Sequence, residues 1–363
     1  MSKLARHQPG PLDHRDTPGH TSTEAPKTMT LLLRSLLLII LFLVLAYFSV
    51  WGTLALWFKA PGSVVFSGAL AGAFALLGLG TLVALFTAAR LRWLFVYAIS
   101  FGILLTWWNS LAPPSDGNWS PDVAEQSTGV IDGDILTIEN VRAFNWRAKD
   151  DFDEAWVTRS YDMSQITSVD LFMSYWAGPA MAHLIVSYGF ADGQNLAWSI
   201  EVRRLIGGSF SPVADYFKAN TIAVVASEER DVVGVRTNIR KERVQLFQLR
   251  GDRVKQGAAR DMLTAYVDLA NSVAEEPQWF HSVFSNCSRT VVNLARSVGI
   301  TLPVDYRVIV NGYFPEYLYE RGVMNTDFTL DELYALGDIS ARAQEAGLTE
   351  GYAAAIRAGM PTP

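Results

Sequence analysis

Three long uncharged segments near the N-terminus constrain this chain more than any other feature. Charged residues are absent from residues 35–58, from residues 63–89 and from residues 93–115. Each segment reaches the roughly 20 apolar residues that a helix needs to cross a bilayer core. Helices that pack in a water-soluble protein normally keep a polar face, which these segments lack. We therefore predict three transmembrane helices within residues 31–111.

The first of these segments does not have the form of a cleaved signal peptide. It starts after about 30 mostly polar residues, it is longer than the apolar core of a signal peptide, and two further spans follow it. Residues 1–30 are rich in Pro, Thr, Ser and His, a composition typical of a disordered tail. This tail holds His7, His14 and His20 without a cysteine. We predict no metal site and no cofactor.

The distribution of basic residues predicts the orientation of the spans, because cytoplasmic segments carry an excess of Lys and Arg. Basic residues precede the first span and separate the second from the third, whereas the loop between the first two carries only Lys59. They are Lys3, Arg6, Arg15, Lys27, Arg34, Arg90 and Arg92. We therefore predict a bacterial inner-membrane protein with a cytoplasmic N-terminus and a periplasmic domain after about residue 110.

The charge of the chain argues against nucleic acid as a partner. The formal net charge is −6, and no basic stripe runs along the sequence. The sequence also contains no glycine-rich phosphate loop and no Cys/His cluster with the spacing of a metal site. The lipid bilayer is the partner that the composition predicts.

Beyond the spans, the sequence predicts an α+β domain. Residues 112–129 are rich in Pro, Ser, Gly and Asp and are predicted to be a linker. Short alternating runs after residue 130 are typical of strands, and longer apolar periods after residue 252 are typical of helices. The predicted strands are 130–138 and 141–146 around a turn at Glu139-Asn140, 182–190 and 195–203 around a turn at Asp192-Gly193, 222–227, 232–236 and 243–249. The predicted helices are 252–274, 288–298 and two short ones within 331–360. Strands followed by helices indicate an α+β domain over residues 130–363.

This outer domain contains one cysteine, Cys287, and two histidines, His183 and His281. A lone exported cysteine cannot form an intramolecular disulfide, so it is buried and inert, lipid-modified, paired between chains or catalytic. Its distance from any mature N-terminus argues against lipidation. A buried small hydrophobic residue and a catalytic nucleophile both remain open at this stage.

The local setting of Cys287 favours chemistry. It directly precedes the predicted helix 288–298, and the free N–H groups and dipole at a helix N-terminus favour a thiolate. The same N–H groups can stabilise an oxyanion when a carbonyl is attacked. Arg289 adds a positive charge, and Asn286 or Ser288 is expected to cap the helix or to provide a further donor.

A thiolate nucleophile needs a base. His183 lies in an apolar strand, where a histidine is unusual unless it is satisfied or functional, whereas His281 lies in an aromatic loop six residues before Cys287. We favour His183 as the base. Glu201 is our candidate to orient the imidazole, because an odd-numbered loop in the hairpin would place both on one face of the sheet. A salt bridge of Glu201 to Arg203 or Arg204 is the alternative.

The two residues just upstream of His183 are aromatic. Tyr175 and Trp176 are candidates to line a substrate cleft for an acyl chain or an aromatic group. Packing in the core of the domain explains them equally well.

Ordered blocks of this sequence resemble the Lnb N-terminal periplasmic domain, also known as domain of unknown function 4105. The blocks are VRAFNWR at 141–147, YWAGP at 175–179, AH at 182–183, SYGF at 187–190, SIEVR at 199–203, ERDV at 229–232, RTN at 236–238 and NCS at 286–288. The sequence departs from the family in Ser288, where threonine is common, and in Phe280-His281, where tyrosine and asparagine are expected. The resemblance does not extend to the predicted spans.

The resemblance implies a papain-like thiol fold of the NlpC/P60 type in circularly permuted order, with the histidine before the cysteine. It places the family's histidine on His183 and its cysteine on Cys287. Because members resemble a lipoprotein-modifying acyl-transfer protein, it implies a thiol acyltransferase or hydrolase acting on lipoprotein or lipid acyl groups of the envelope. A peptidoglycan amidase or endopeptidase is one alternative, and a non-catalytic binding or sensory module is another.

Overall fold

The computed structural model describes residues 24–251 and 256–361. The predicted disordered tail lies outside the described residues as far as residue 23, and so do His7, His14 and His20. The chain forms two compact units, one of residues up to Trp57 with Gly62–Thr106, and one of Phe58–Pro61 with Trp107–Pro363.

Helices make up the first unit, and their bounds are α1 (Glu24–Lys59), α2 (Val64–Ala84) and α3 (Arg90–Ser110). Segments of 31, 21 and 21 residues within them are long and apolar enough to cross a membrane. Most large apolar side chains of α1 are exposed, as expected for a helix surrounded by lipid. The three predicted spans are confirmed as helices of this kind. However, α1 begins at Glu24 and so includes residues 24–30, which we predicted to be disordered.

A close contact between α1 and α2 depends on a glycine. Gly78 of α2 lies against Ser49 of α1, and a Cβ atom at position 78 would be 2.4 Å from Ser49 Oγ. The Ser49 hydroxyl also donates to the hydroxyl of Tyr97 in α3 at 3.2 Å. Lipid is as apolar as the helices, so small-residue contacts and hydrogen bonds of this kind hold such helices together. Ser49 therefore joins all three helices.

The second unit, of Phe58–Pro61 with Trp107–Pro363, is called the outer unit below. The chain packs on it soon after α3. Trp119 forms a β-bridge with Leu205, and Val123 is fully buried. Asp122 accepts from Arg204 at 2.8 Å. The second half of residues 112–129, which we predicted to be a linker, is thus part of the folded domain.

Eight strands form one sheet at the centre of the outer unit. In spatial order they are β1 (Thr128–Asp132), β2 (Ile135–Arg142), β9 (Thr221–Ser227), β8 (Asn195–Arg203), β7 (Ala182–Phe190), β6 (Ile166–Tyr175) and β10 (Arg243–Gln248), with β5 (Trp156–Asp162) also paired to β2. A separate hairpin consists of β3 (Asn145–Ala148) and β4 (Asp151–Asp153). Within the sheet, β2 and β9 are parallel and the other paired strands are antiparallel.

Helices cover both faces of this sheet. On one face, α6 (Gln256–Glu275) and α7 (Cys287–Ser297) pack in a core that includes Leu184 and Trp198. On the other face, α5 (Glu229–Val232) and C-terminal helices pack in a core that includes Ile185. The remaining helices are α4 (Pro212–Tyr216), α8 (Phe314–Glu320), α9 (Leu330–Gly337), α10 (Ser340–Ala346) and α11 (Tyr352–Ile356). The predicted α+β class is confirmed.

Several predicted elements are wrong. Residues 232–236 run from the end of α5 into the π-helical turn Val235–Ile239 and form no strand. Their valines, Val232, Val233 and Val235, are apolar because they are buried in the core and not because they alternate along a strand. The turn predicted at Glu139-Asn140 lies inside β2, where the register shifts and Asn140 adopts a φ of 57°. The region 331–360 holds three short helices and not two.

Candidate active site

Cys287 is the first residue of α7, and Asn286 is its N-cap. Asn286 Oδ1 accepts from the backbone N–H of Arg289 at 2.8 Å, and Asn286 Nδ2 donates to the carbonyl of Ser282 at 2.7 Å. Both ends of this amide are therefore engaged, and of the two roles predicted for Asn286 the structure shows the cap. The capped helix places the sulfur at the positive end of its dipole.

His183 lies where the sheet opens between two strands. Pairing of β7 with β8 ends at Ile185 and Ser199, although β8 continues along β9 as far as Arg203. Leu184 follows directly after His183, and a hydrogen bond from its backbone is one of the causes that lower the pKa of Cys287. Asn311 contacts both Cys287 Sγ and the carbonyl of Ala182, so the sulfur lies near the start of the strand that carries His183.

Cys287 and His183 lie close enough for each side chain to shift the pKa of the other. Cys287 is only 8% exposed and belongs to the core between the sheet and its two long helices. The two sequence-based interpretations therefore meet at this residue, because the thiol is buried and is also paired with an imidazole.

The charges around the pair favour its ionised form. Burial by itself lowers the pKa of His183, but the negative charge of Glu201 and the bond to Cys287 raise it to about 9. Burial by itself raises the pKa of Cys287, but the hydrogen bond and charge of His183 lower it below the ordinary thiol value. Both shifts favour a thiolate beside an imidazolium at neutral pH.

Glu201 reaches the imidazole both directly and through a serine. His183 Nε2 lies 2.7 Å from Ser199 Oγ and 3.3 Å from Glu201 Oε1. Ser199 Oγ donates to Glu201 Oε1 at 2.7 Å. Residues 190–194, an odd number, separate the last paired residues of the hairpin, so His183 and Glu201 share a face as the parity argument required.

The alternative partners of Glu201 are not those that the sequence suggested. Arg203 donates to the carbonyls of Val123 and Ala124, and Arg204 pairs with Asp122. Glu201 Oε1 instead accepts from Arg236 Nη2 at 2.8 Å, and Arg236 is 3% exposed. Although burial by itself raises the pKa of Glu201, the charges of His183 and Arg236 hold it well below its usual range.

Sequence reasoning missed Asn311 as a member of this cluster. Asn311 Nδ2 lies 3.7 Å from Cys287 Sγ and donates to Ser288 Oγ at 2.7 Å and to the Ala182 carbonyl at 2.6 Å. Its Oδ1 accepts from the N–H of Ala182 at 2.9 Å. One side chain thus ties the start of α7 to the start of β7. The signal in the sequence is the pair Asn311-Gly312, which is also an ordinary turn signal.

Other predicted site residues have structural partners. Ser288 is fully buried and holds Asn311, so its hydroxyl faces the interior. Tyr175 donates to the Gly312 carbonyl at 3.1 Å. Trp176 is 45% exposed and packs edge-on against Phe210, with ring centroids 5.5 Å apart. Of the two aromatic residues, only Trp176 lies at the surface.

His281 is engaged inside its own loop. Its Nδ1 accepts from the backbone N–H groups of Val283 and Phe284 at 3.1 and 3.2 Å, and its ring packs against Tyr216. Burial lowers the pKa of His281, which favours the neutral ring that these bonds require. The structure therefore pairs Cys287 with His183 and uses His281 to shape the loop that leads to the cysteine.

The described residues contain no group of three or more His, Cys, Asp or Glu side chains that could hold a metal ion. Chemically, the cluster offers a nucleophile, a proton carrier and helix N–H groups at one point.

The resemblance seen in the sequence holds for the part of the chain that contains this cluster. Residues 152–312 match the model of the Lnb N-terminal periplasmic domain. This segment is the part of the chain that is similar to that family. It includes His183, Glu201, Cys287 and Asn311, whereas the similar block at 141–147 precedes it. No curated protein and no solved structure matches the chain.

Proposed function

We propose that this protein is a membrane-anchored thiol acyltransferase or hydrolase, with Cys287 as nucleophile and His183 as proton carrier. The observation that carries the proposal is that Asn311 holds Cys287 Sγ, at the capped start of α7, beside the start of β7 and His183, where the two side chains shift each other's pKa. A cysteine buried for packing alone needs neither an imidazole partner nor a carboxylate behind that imidazole. The histidine-first order and the helix on an antiparallel sheet support a permuted papain-like arrangement.

The first step forms a thioester. The Cys287 thiolate attacks the carbonyl carbon of an ester or amide, a C–S bond forms, and the carbonyl electron pair moves to oxygen. N–H groups in the first turn of α7 stabilise the resulting oxyanion. The tetrahedral intermediate collapses, the C–O or C–N bond breaks, and the His183 imidazolium gives its proton to the leaving group.

The second step regenerates the thiolate. Neutral His183 removes a proton from the acceptor, either water or an amine, which attacks the thioester carbon. The C–S bond then breaks, and its electron pair returns to sulfur, so the thiolate and imidazolium pair is restored. Glu201 and Ser199 keep the ring in place throughout, because they hold Nε2 and leave Nδ1 for the sulfur.

The envelope is the proposed place of action and an acyl group of a lipoprotein or lipid is the proposed substrate. The basic residues on the other side of the predicted spans support an inner-membrane protein with this domain in the periplasm. Three helices able to cross a membrane bring the domain to a lipid surface. Exposed apolar side chains near Trp176 favour an acyl chain over a sugar polymer.

The test uses the full chain reconstituted in vesicles with an acylated lipopeptide, a phospholipid and purified muropeptides as separate substrates. We expect acyl release or transfer, and a loss of about 1000-fold or more in Cys287→Ala and His183→Ala. His281→Ala is the matched histidine control and should keep its activity. Muropeptide cleavage alone would contradict the acyl substrate in favour of an amidase. Unchanged function of Cys287→Ala would favour a binding module.

A further inference from the structure

Large apolar side chains are exposed on one loop region of the outer unit. Residues 205–210 are all exposed, although three of them are Leu205, Ile206 and Phe210. Together with Val213, Phe284 and Trp176 they form a set that we term the apolar rim, with exposed fractions between 37% and 63%. A folded protein seldom leaves so many neighbouring apolar side chains in water.

The apolar rim is attached to both segments that lead into the cysteine site. Phe210 packs edge-on against Trp176, which begins the turn before His183, and against Phe280 at 6.1 Å between ring centroids. Ser282 Oγ donates to the Pro212 carbonyl at 2.7 Å. Phe284 itself precedes Cys287 by three residues. The rim therefore lies against the segments that precede His183 and Cys287 in the chain.

The base of the same loop holds the segment by which the chain leaves α3. Lys218 Nζ donates to the Trp108 carbonyl at 2.7 Å, and the rings of Phe217 and Trp108 pack edge-on at 6.3 Å. Trp279 Nε1 donates to the Leu111 carbonyl at 3.2 Å. All of these residues belong to the outer unit. α3 is long and apolar enough to cross a membrane, and Trp and Lys are typical of the lipid–water boundary at the end of such a helix.

From these contacts we infer that the apolar rim dips into the bilayer leaflet next to the outer unit and admits the acyl chain of a lipid-embedded substrate to Cys287. Contacts of the loop base with Trp108 and Leu111 keep the rim near lipid, so its apolar side chains are covered by acyl chains and not by a protein partner. The insertion of the rim into the leaflet is independent of catalysis. The route of the acyl chain to Cys287 rests on the proposed function.

Fluorescence quenching tests the position of the rim without requiring activity. The full chain carrying Cys287→Ser and Ile206→Cys is labelled with an environment-sensitive fluorophore and reconstituted in phosphatidylcholine vesicles. We expect strong quenching by nitroxides on the lipid acyl chains and weak quenching by aqueous iodide. Val130→Cys, an exposed aliphatic position on β1 with 71% exposure, is the matched control and should show the reverse. Iodide quenching at position 206 as strong as at position 130 would overturn the inference.

Activity measurements test the route of the acyl chain. Ile206→Asp in the full chain should lower turnover of a vesicle-embedded lipopeptide about tenfold, because a charged side chain resists burial in lipid. Turnover of a water-soluble short-chain thioester should stay unchanged, since the cysteine pair is intact. Equal losses on both substrates, or no loss on the embedded one, would overturn the route. Absence of all turnover in the unmodified chain would instead contradict the proposed function, and the quenching result would still stand.

Discussion

Two buried polar clusters lie on the same face of the sheet, and both use β7. One joins His183, Ser199 and Glu201 to Cys287. The other joins Ser187, four residues further along β7, to Glu229, Asp170 and Arg357. Each contains a serine that donates to a carboxylate and a cation that faces it. They differ in the cation, because an arginine does not release its proton in a protein and a histidine does.

That difference separates a structural cluster from a candidate site. Arg357 donates to Glu229 at 2.6 Å and to Asp170 at 2.6 Å, and it ties the end of α11 to the sheet. Every hydrogen bond that Arg357 donates ends on a carboxylate or on the backbone carbonyl of Ala353. His183 Nε2 lies 3.3 Å from the carboxylate oxygen Oε1 of Glu201, and the thiol of Cys287 interacts with the same imidazole. Buried charge alone therefore does not mark a site, whereas a titratable cation beside a nucleophile does.

The largest expected effect comes from breaking the arginine cluster. Arg357→Ala leaves Asp170 and Glu229 buried without their cation, which should lower the free energy of unfolding by about 3–5 kcal/mol. Thermal unfolding of the full chain in detergent measures this. Arg147→Ala, which removes an exposed ion pair with Asp151, is the control and should leave the melting temperature unchanged. A small shift in Arg357→Ala would mean that the two clusters are not distinct in role.

The pH dependence of stability should follow the histidine cluster. Since the pKa of His183 is raised to about 9 in the folded protein, its stabilisation is fully present below the ordinary pKa of 6.5. It is lost as the pH rises through about 9, with a decrease of about 1–3 kcal/mol in the free energy of unfolding. Chemical denaturation of Cys287→Ala at pH 6.5 and 9.5 measures the decrease, because this variant lacks the thiol whose lowered pKa adds stability over the same range; adding His183→Gln should reduce the decrease. A stability that rises over this range would contradict the assigned direction.

Removing the charge of Glu201 should lower activity more than stability. In Glu201→Gln the side-chain volume and the contact to Arg236 are retained, but the charge that raises the pKa of His183 is lost. We expect turnover to fall by about 10- to 100-fold at neutral pH. The pH–rate profile should move to lower pH, a change that a structural defect would not produce. An unaltered profile would remove Glu201 from the orienting role.

The smallest expected effects are those of removing the serine hydroxyl from each of the two clusters. Ser199→Ala removes the hydroxyl between His183 and Glu201, but the direct approach of 3.3 Å between Nε2 and Oε1 remains. Turnover should therefore fall only about threefold to tenfold. Ser187→Ala removes the equivalent hydroxyl from the arginine cluster and should lower stability by about 1 kcal/mol without changing turnover per folded molecule. Equal effects of both variants on turnover would contradict the distinction between the histidine cluster as a candidate site and the arginine cluster as a structural one.

The sequence predicted the parts of this site that depend on local pattern. The hairpin of β7 and β8 was predicted with the bounds that the structure has, because its turn residues and alternating runs are strong local signals. α7 was predicted at 288–298 from an apolar helical stripe, and the structure begins it one residue earlier, at Cys287 after the Asn286 cap. Once register was fixed, the shared face of His183 and Glu201 followed as well.

The sequence did not predict what long-range packing decides. β6 was not predicted although it pairs with β7, since its buried run resembles either a strand or a helix segment. Arg236 and Asn311 reach the site from distant segments, Arg236 through a π-helical turn and Asn311 through a 3-10 turn. The block RTN at 236–238 marked Arg236 as shared with the family, but no local signal gave a role to Arg236 or to Asn311.

Alkylation of Cys287 tests the central claim most directly, because it is the only cysteine in the chain. The rate with iodoacetamide is measured between pH 6 and pH 8 in the unmodified protein, His183→Ala and His281→Ala. Paired with His183, the thiolate should persist, and the rate should change by less than about threefold over this range. His281→Ala should behave in the same way, whereas His183→Ala should show the roughly tenfold loss per pH unit of an ordinary thiol. The same tenfold dependence in the unmodified protein would contradict the account.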